Sequence, residues 1–151
     1  MKFILSSTAL EHLNLKQDLV TDSTGALSCF EGIVRNVNDG RQVTALEYEA
    51  YPDLCETEMQ TIFQEVKNKF KVINVNCFHR TGRLSIGEMS VFVGVTSGHR
   101  EDTFMACRYV IDQLKDRLPI WKKEYYASGD SGWINTQKIE SPRSSLLRSQ
   151  N

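Results

Sequence analysis

The spacing of hydrophobic positions changes several times along the chain, and each change predicts an element. Val43 to Tyr51 alternates, with Leu46, Tyr48 and Ala50 pointing one way and Glu47 and Glu49 the other. A period of two predicts a half-buried antiparallel strand. From Pro52 the period lengthens: Cys55, Met59, Ile62, Phe63, Val66 and Phe70 recur at helical spacing and predict a helix with one core-facing stripe. Asp53, with Glu56 three residues later, resembles a capping box at its start. Val72 to Arg80 is rich in β-branched residues and predicts a strand. Met89 to Thr96 is apolar on both faces, as a central strand is. A second helix then carries Phe104, Cys107, Ile111, Leu114 and Leu118 as its stripe, with Val110 beside it. Pro119 ends that helix, because the residue before a proline is driven out of the α region.

Shorter signals fill the gaps. Lys2 to Ser6 suits a strand, and Ser7 or Thr8 a cap for a brief helix through Leu13. Ala26 to Val34 reads as a strand in which Gly32 marks a bulge or a close approach. Asn38-Asp39-Gly40 predicts a hairpin turn, since Asp-Gly accepts positive φ at low cost. Thr81-Gly82-Arg83 and Gly87 predict two further turns. Beyond Pro119, Lys122 and Lys123 alternate if the segment is a strand, so one of them faces any ligand. Ser128 to Gly132 is the loop of a hairpin between Tyr125-Tyr126 and Trp133-Ile134. The pattern implies one domain over residues 1–140 and a polar, flexible tail over 141–151.

Composition narrows the class. A chain of 151 residues, 40% hydrophobic and 25% charged, is an ordinary globular domain with room for a core. A net charge of −1 gives no overall field toward nucleic acid or membrane, so anion binding must come from local clustering. The apolar run of MKFILSSTAL, Phe3 to Leu5, is too short for a signal peptide, and no run is long enough to span a bilayer. Cys29, Cys55, Cys77 and Cys107 are widely spaced, which argues for reduced thiols in a cytoplasmic protein and against a disulfide framework or a zinc site.

Candidate chemistry gathers between Val91 and Glu124. Gly98-His99-Arg100 stands where a strand gives way to a helix, and free N–H groups, the helix dipole and two basic side chains there suit an anion. Lys115 falls at the rim of the apolar face, where partial desolvation lowers an amine's pKa. Arg35, at the end of its strand, and Lys122 complete a basic set, with Glu124 as an acidic orienter. Taken alone, Arg35 reads more readily as a solvated edge charge and His79 as a satisfied polar group at a strand end. The chain has no Walker loop, dinucleotide fingerprint or nucleophile elbow. The residues therefore describe an anion-binding enzyme whose nucleophile is brought from elsewhere.

Five stretches resemble a known family. They are Phe30-x-Gly32-x-x-Arg35, Leu46-Glu47-x-x-x-Tyr51-Pro52, His79-Arg80-x-Gly82, Phe92-Val93-Gly94-Val95-Thr96-Ser97-x-His99-Arg100, and Lys115-x-x-x-Pro119-x-Trp121-Lys122-x-Glu124. In this order they resemble the large, catalytic subunit of molybdopterin synthase, the MoaE type. The resemblance implies an α+β, hammerhead-type fold with a mostly antiparallel sheet, packed helices and a small β subdomain. It implies a homodimer of large subunits within a heterotetramer. The partner would be a small ubiquitin-like sulfur carrier whose C-terminal Gly-Gly thiocarboxylate enters the pocket. The substrate would be cyclic pyranopterin monophosphate (precursor Z), converted to molybdopterin by transfer of two sulfurs, with no metal or other cofactor. Carried over by position, Lys115 and Lys122 would be catalytic. Ile33, Val34, Arg35, His99, Arg100, Lys123 and Glu124 would join them in binding substrate, with Phe30 and Met105 as walls. The resemblance stops at Glu124. The alternative is a non-catalytic module that holds a ubiquitin-like tail, which would need the groove but not both lysines.

Overall fold

The computed structural model describes residues 1–134; the boundary at 140 and the tail expected over 141–151 lie outside them. Strands and helices follow in the order β1 (Lys2–Ser6), β2 (Ala26–Ile33), β3 (Val37–Asn38), β4 (Arg41–Ala50), α1 (Pro52–Lys69), β5 (Val72–Arg80), β6 (Gly82–Ser85), β7 (Met89–Ser97), α2 (Arg100–Arg117), β8 (Ile120–Tyr126) and β9 (Ser131–Ile134). They build two sheets. One has the order β1-β5-β7-β2, and the other runs β3-β4-β8-β9 with β6 also paired to β4. Only β1–β5 is parallel among these pairings, so this is the expected α+β fold with mostly antiparallel sheets.

Burial explains the first sheet. Every residue of β7 is buried, as its continuous apolar run requires. Val75, Cys77, Val91, Val93 and Val95 belong to the main core with the inner faces of α1 and α2. Phe78 and Phe92 turn to the opposite face, where Leu10 and Met89 join them in a second cluster. The helices are tied to each other by Arg117, which donates to Glu58 at 2.6 Å and to Glu65 at 2.7 Å.

Several local expectations hold. The Asp39-Gly40 turn has φ of 47° and 75°, the left-handed pair that a tight hairpin needs. Gly32 sits at a register shift, and a Cβ there would stand 2.7 Å from Val91 Cγ1. His79 is buried, with Nδ1 2.8 Å from the Arg80 carbonyl and its ring edge-on to Tyr48. The three core cysteines are buried and all four thiols are free.

Others need correction. The capping box does not form: Pro52 takes the first turn, so Tyr51 becomes the N-cap and no side chain caps the helix. The helix expected through Leu13 is only a 3-10 turn at Leu10–His12, and the hydroxyl near it that bonds backbone is Ser6, which accepts from Thr8 N–H. Phe104 is not in the core stripe but 64% exposed. Thr103 is buried in its place, because its hydroxyl donates to the Arg100 carbonyl and accepts from Ser28. The turn at Gly82 also begins β6, which sequence reading missed because four residues give too little pattern.

Gly25 ties the β2 entrance to the turn before α2. Its N–H donates to the Ser97 carbonyl at 2.9 Å, and a Cβ on it would collide with the Gly98 backbone carbonyl. Gly25→Ala is expected to lower stability by about 1–3 kcal/mol, since backbone cannot yield as a side chain can. Urea denaturation of the two proteins checks this. An unchanged midpoint would show that the turn relaxes freely.

Candidate functional site

Two basic clusters stand at opposite ends of α2. At its N-terminus His99 is the cap, in extended backbone, with no side-chain cap on the helix. The first turn's free N–H groups therefore face outward beside the exposed His99 and Arg100 side chains. Gly25, Gly98, His99, Arg100 and Glu101 line an open depression of about 610 Å³ there.

At the C-terminal end α2 stops at Arg117, and Leu118 is extended at φ −73° and ψ 135°. The chain reverses at Pro119, whose carbonyl accepts from Tyr51 N–H at 3.2 Å. β8 then runs antiparallel to β4, placing Lys122 opposite Tyr48 and Glu124 opposite Leu46. This reversal brings Lys115 and Lys122 to one cavity of about 140 Å³, lined also by Ile33, Arg35, Asn38, Tyr48, Ser90 and Glu124. A smaller crevice of about 30 Å³ lies against the same lysines, with His79 and Tyr48 on its other side.

Electrostatics distinguish the two lysines. Lys115 is exposed along its chain while protein crowds its ammonium; desolvation first, then the like charge of Lys122, pushes its pKa below the ordinary lysine value. Lys122 is three-quarters buried and its Nζ lies 3.6 Å from Glu124 Oε1. Glu124 is only 2% exposed. Its Oε1 accepts from Asn38 Nδ2 at 2.9 Å, while Oε2 is buried with no hydrogen-bond partner among the described residues. Tyr126, on the same face, is made less acidic by this carboxylate without a hydrogen bond of ordinary geometry to Oε2. A buried acceptor left open in a cavity is suited to a donor on a ligand.

The other expected residues divide. Ile33 and Arg35 line the lysine cavity, and Arg35 Nη2 donates to Asn38 Oδ1 at 3.3 Å. Val34 is 2% exposed, packed in the main core with its side chain away from the cavity. Lys123 points to the opposite face of β8, its ammonium over the rings of Tyr125 and Trp133. His99 and Arg100 do not reach this cavity within one chain. Fifteen residues of helix separate Arg100 from Lys115, roughly 22 Å at 1.5 Å per residue. Phe30 lines a different and larger groove of about 710 Å³ between β2 and α2, and Met105 is an exposed α2 residue outside both cavities. Sequence reading missed Asn38, Tyr48 and Ser90. The inward alternation of β4 could have flagged Tyr48; nothing local marks the other two.

No thiol lines the lysine cavity among the described residues. Burial pushes Cys55 and Cys107 up to about 11 and raises Cys77 still further, so these are inert sulfurs. The described residues also gather no group of three or more His, Cys, Asp and Glu that could hold a metal.

The family model described as MoaE protein matches residues 5–117. The chain belongs to the MoaE family. Among curated relatives, the molybdopterin synthase catalytic subunit of Synechococcus elongatus is 44% identical over 114 residues, covering 75% of this chain and 69% of the relative. That of Thermoplasma volcanium is 43% identical over 109 residues, covering 72% and 80%. Among solved structures, molybdopterin synthase from Staphylococcus aureus is 32% identical with a TM-score of 0.77, covering 87% of this chain and 94% of that one. A Helicobacter pylori complex of subunits 1 and 2 of molybdopterin-converting factor shares the fold, with a TM-score of 0.74 at 21% identity over 96% of this chain and 98% of that one. MoaE membership places the chain in molybdenum cofactor biosynthesis. No helix among the described residues is long and apolar enough to cross a membrane.

Two titrations test the site's electrostatics. Removing the like charge with Lys122→Met should raise the Lys115 pKa, while desolvation keeps it below that of a free lysine. NMR of methyl-labelled lysines reads this directly, and a fall in the Lys115 pKa would contradict the assignment. Burial also holds the His79 pKa down, to about 4 from an ordinary 6.5. The unfolded chain then binds a proton as pH falls through 6.5 while the folded chain does not until about 4. Stability present above that window is lost across it, on the order of 3 kcal/mol. His79→Gln should flatten this acid limb in urea titrations from pH 7 to 4.

Proposed function

We propose that the chain is the sulfur-transferring subunit of molybdopterin synthase, with Lys115 and Lys122 at the reacting centre. The observation that carries this is the convergence of two lysines, one with a lowered pKa, with Arg35 and a buried carboxylate in a cavity without a thiol. Such a site can hold an anionic substrate and handle protons, but it must import its sulfur.

The carrier would be a small ubiquitin-like subunit whose C-terminal Gly-Gly ends in a thiocarboxylate. The two-subunit complex formed by the Helicobacter pylori relative supports a partner of this kind. The substrate would be cyclic pyranopterin monophosphate. Sulfur of the thiocarboxylate bonds to a substrate carbon as a carbon–oxygen bond at that carbon breaks and the oxygen leaves with a proton, giving a thioester that joins carrier and substrate. Water then adds to the thioester carbonyl, the carbon–sulfur bond to the carrier breaks, and the carrier leaves as a carboxylate. A second carrier delivers the second sulfur by the same two steps, and at the carbon that carries the phosphate ester the bond broken is the one to the phosphate oxygen, so the cyclic phosphate opens to a monoester. Lys115 stabilises negative charge on the carbonyl oxygen as an ammonium and accepts a proton as an amine, roles its lowered pKa makes interchangeable. Lys122, held by Glu124, supplies fixed positive charge. Arg35 faces the phosphate, and the open Oε2 of Glu124 accepts from an N–H of the ligand.

His99 and Arg100 would serve this reaction from a second copy of the chain. They are too far from Lys115 within one protomer, and a homodimer that sets the α2 N-terminus of one copy beside the cavity of the other completes the anion site. The enzyme would then work as a heterotetramer of two large and two small subunits in the cytoplasm.

The deciding experiment mixes the protein with thiocarboxylated carrier and cyclic pyranopterin monophosphate and measures molybdopterin. Wild type should form product, and Lys115→Met should lose at least about a hundredfold in kcat, the usual scale for a positioned acid–base group. Its thermal stability should hold or rise, because an amine that resists its charge is replaced by an apolar chain of like shape. Product from Lys115→Met at the wild-type rate would remove Lys115 from the chemistry.

A further inference from the structure

The β3–β4 hairpin places one side chain between the two halves of the lysine cavity. Asn38 accepts from Arg35 Nη2 through Oδ1 at 3.3 Å and donates to Glu124 Oε1 through Nδ2 at 2.9 Å. The same Oε1 lies 3.6 Å from Lys122 Nζ. One amide thus joins the two otherwise separate elements that carry Arg35 and the Lys122–Glu124 pair. Its orientation is fixed by chemistry: turned over, the amide would set N–H against guanidinium and carbonyl against carboxylate. Each end has one productive partner.

We propose that Asn38 is a positioning residue for this reaction, holding Glu124 against Lys122 through one end of its amide and aiming Arg35 into the cavity through the other. The inference rests on the sulfur-transfer reading for its kinetic consequence, but the juxtaposition stands on distances alone. Glu124 needs such a holder. It is a fully buried carboxylate lining the cavity, its Oε2 has no hydrogen-bond partner among the described residues, and a neutral amide, that of Asn38, donates to its Oε1. Without it, the carboxylate keeps the 3.6 Å ion pair to Lys122 and its interaction with the Tyr126 hydroxyl, neither of which ties it to the Arg35 side of the cavity. A hairpin residue with no such role would affect stability but not the balance between the two ends.

The Asp variant separates the ends. Asn38→Asp keeps the acceptor toward Arg35 and replaces the donor toward Glu124 by a second acceptor. It should leave KM for the pterin substrate within about threefold and lower kcat about ten- to a hundredfold, the range for a lost hydrogen bond to a charged group. Asn38→Ala loses both contacts and should raise KM as well. In a cycle with Glu124→Gln, kcat of the double variant Asn38→Ala/Glu124→Gln should be no lower than that of the slower single one, because both lower kcat through one carboxylate.

A readout without turnover accompanies these. Amine-directed labelling followed by peptide mass spectrometry should modify Lys122 about three- to tenfold faster in Asn38→Ala, as the loosened ion pair frees its amine, while Lys123 on the other face labels unchanged. Multiplicative losses in the cycle, or equal labelling of Lys122 in wild type and Asn38→Ala, would overturn the proposal. Wild type that makes no molybdopterin but shows the Lys122 change would overturn the sulfur-transfer reading and leave Asn38 as the holder of Glu124. Circular dichroism of each variant shows whether it is folded, and Asn38→Asp, which keeps a good turn former, serves if Asn38→Ala is not.

Discussion

The lysine cavity depends on the chain reversing at Leu118–Pro119. A proline there forbids another helical turn, and the extended Leu118 sends the chain back beside β4. The break is held from both directions. The Pro119 carbonyl accepts from Tyr51 N–H, and Leu118 itself is buried in the core with α1 and α2. Because α1 begins at Pro52, directly after Tyr51, one hydrogen bond links the start of one helix to the end of the other. Two lysines seven positions apart are thereby turned toward each other instead of lying along one helix face. Their repulsion is met by a carboxylate from the same strand, and the antiparallel register of β8 against β4 puts that carboxylate on the lysine side.

Most of the architecture was legible because its elements are long and strongly patterned. The alternation of β4, the stripe of α1 and the doubly apolar β7 each carry enough repeats to fix their type. What failed was local. Asp53 and Glu56 have the spacing of a capping box, yet the helix starts at Pro52, two residues sooner than an Asp53 cap would allow, and takes that option away. Phe104 looks like core by hydrophobicity, but the hydroxyl pair Ser28–Thr103 occupies the inner position, and a single residue of helical phase decides which side chain is buried. Element type is set by many residues at once; phase at a helix end is set by one or two contacts.

The site was legible in a different way. The residues Arg35, Lys115, Lys122 and Glu124 were singled out by chemistry and motif, and the fold brings all four to one cavity. His99 and Arg100 were singled out with equal reason and do not join them, because a helix of eighteen residues is a ruler that sequence motifs do not measure. Strand alternation implied that only one of Lys122 and Lys123 faces a ligand, whereas the resemblance put both at the substrate; the fold turns Lys123 to the other face of β8, over Tyr125 and Trp133. Asn38 carried no signal, since its importance arises from β8 lying beside a hairpin 86 positions away in the chain.

The charge pattern of the cavity also bears on the proposed import of sulfur. A thiol placed between Lys115 and Lys122 would ionise readily and become reactive toward any electrophile reaching the pocket. The chain instead keeps its core thiols where burial suppresses ionisation and leaves the cavity to amines, guanidinium and one carboxylate. In such a pocket positive charge is held ready in the resting protein, and Glu124 limits its self-repulsion without neutralising it. An anionic thiocarboxylate tail entering there would meet both lysines at once, and its charge would oppose the desolvation and the like-charge repulsion that lower the Lys115 pKa. Binding of such a tail and return of the proton to Lys115 would then be coupled, so that in the proposed reaction the amine would serve as a charge stabiliser when the sulfur arrives and as a base again when the tail's charge is consumed.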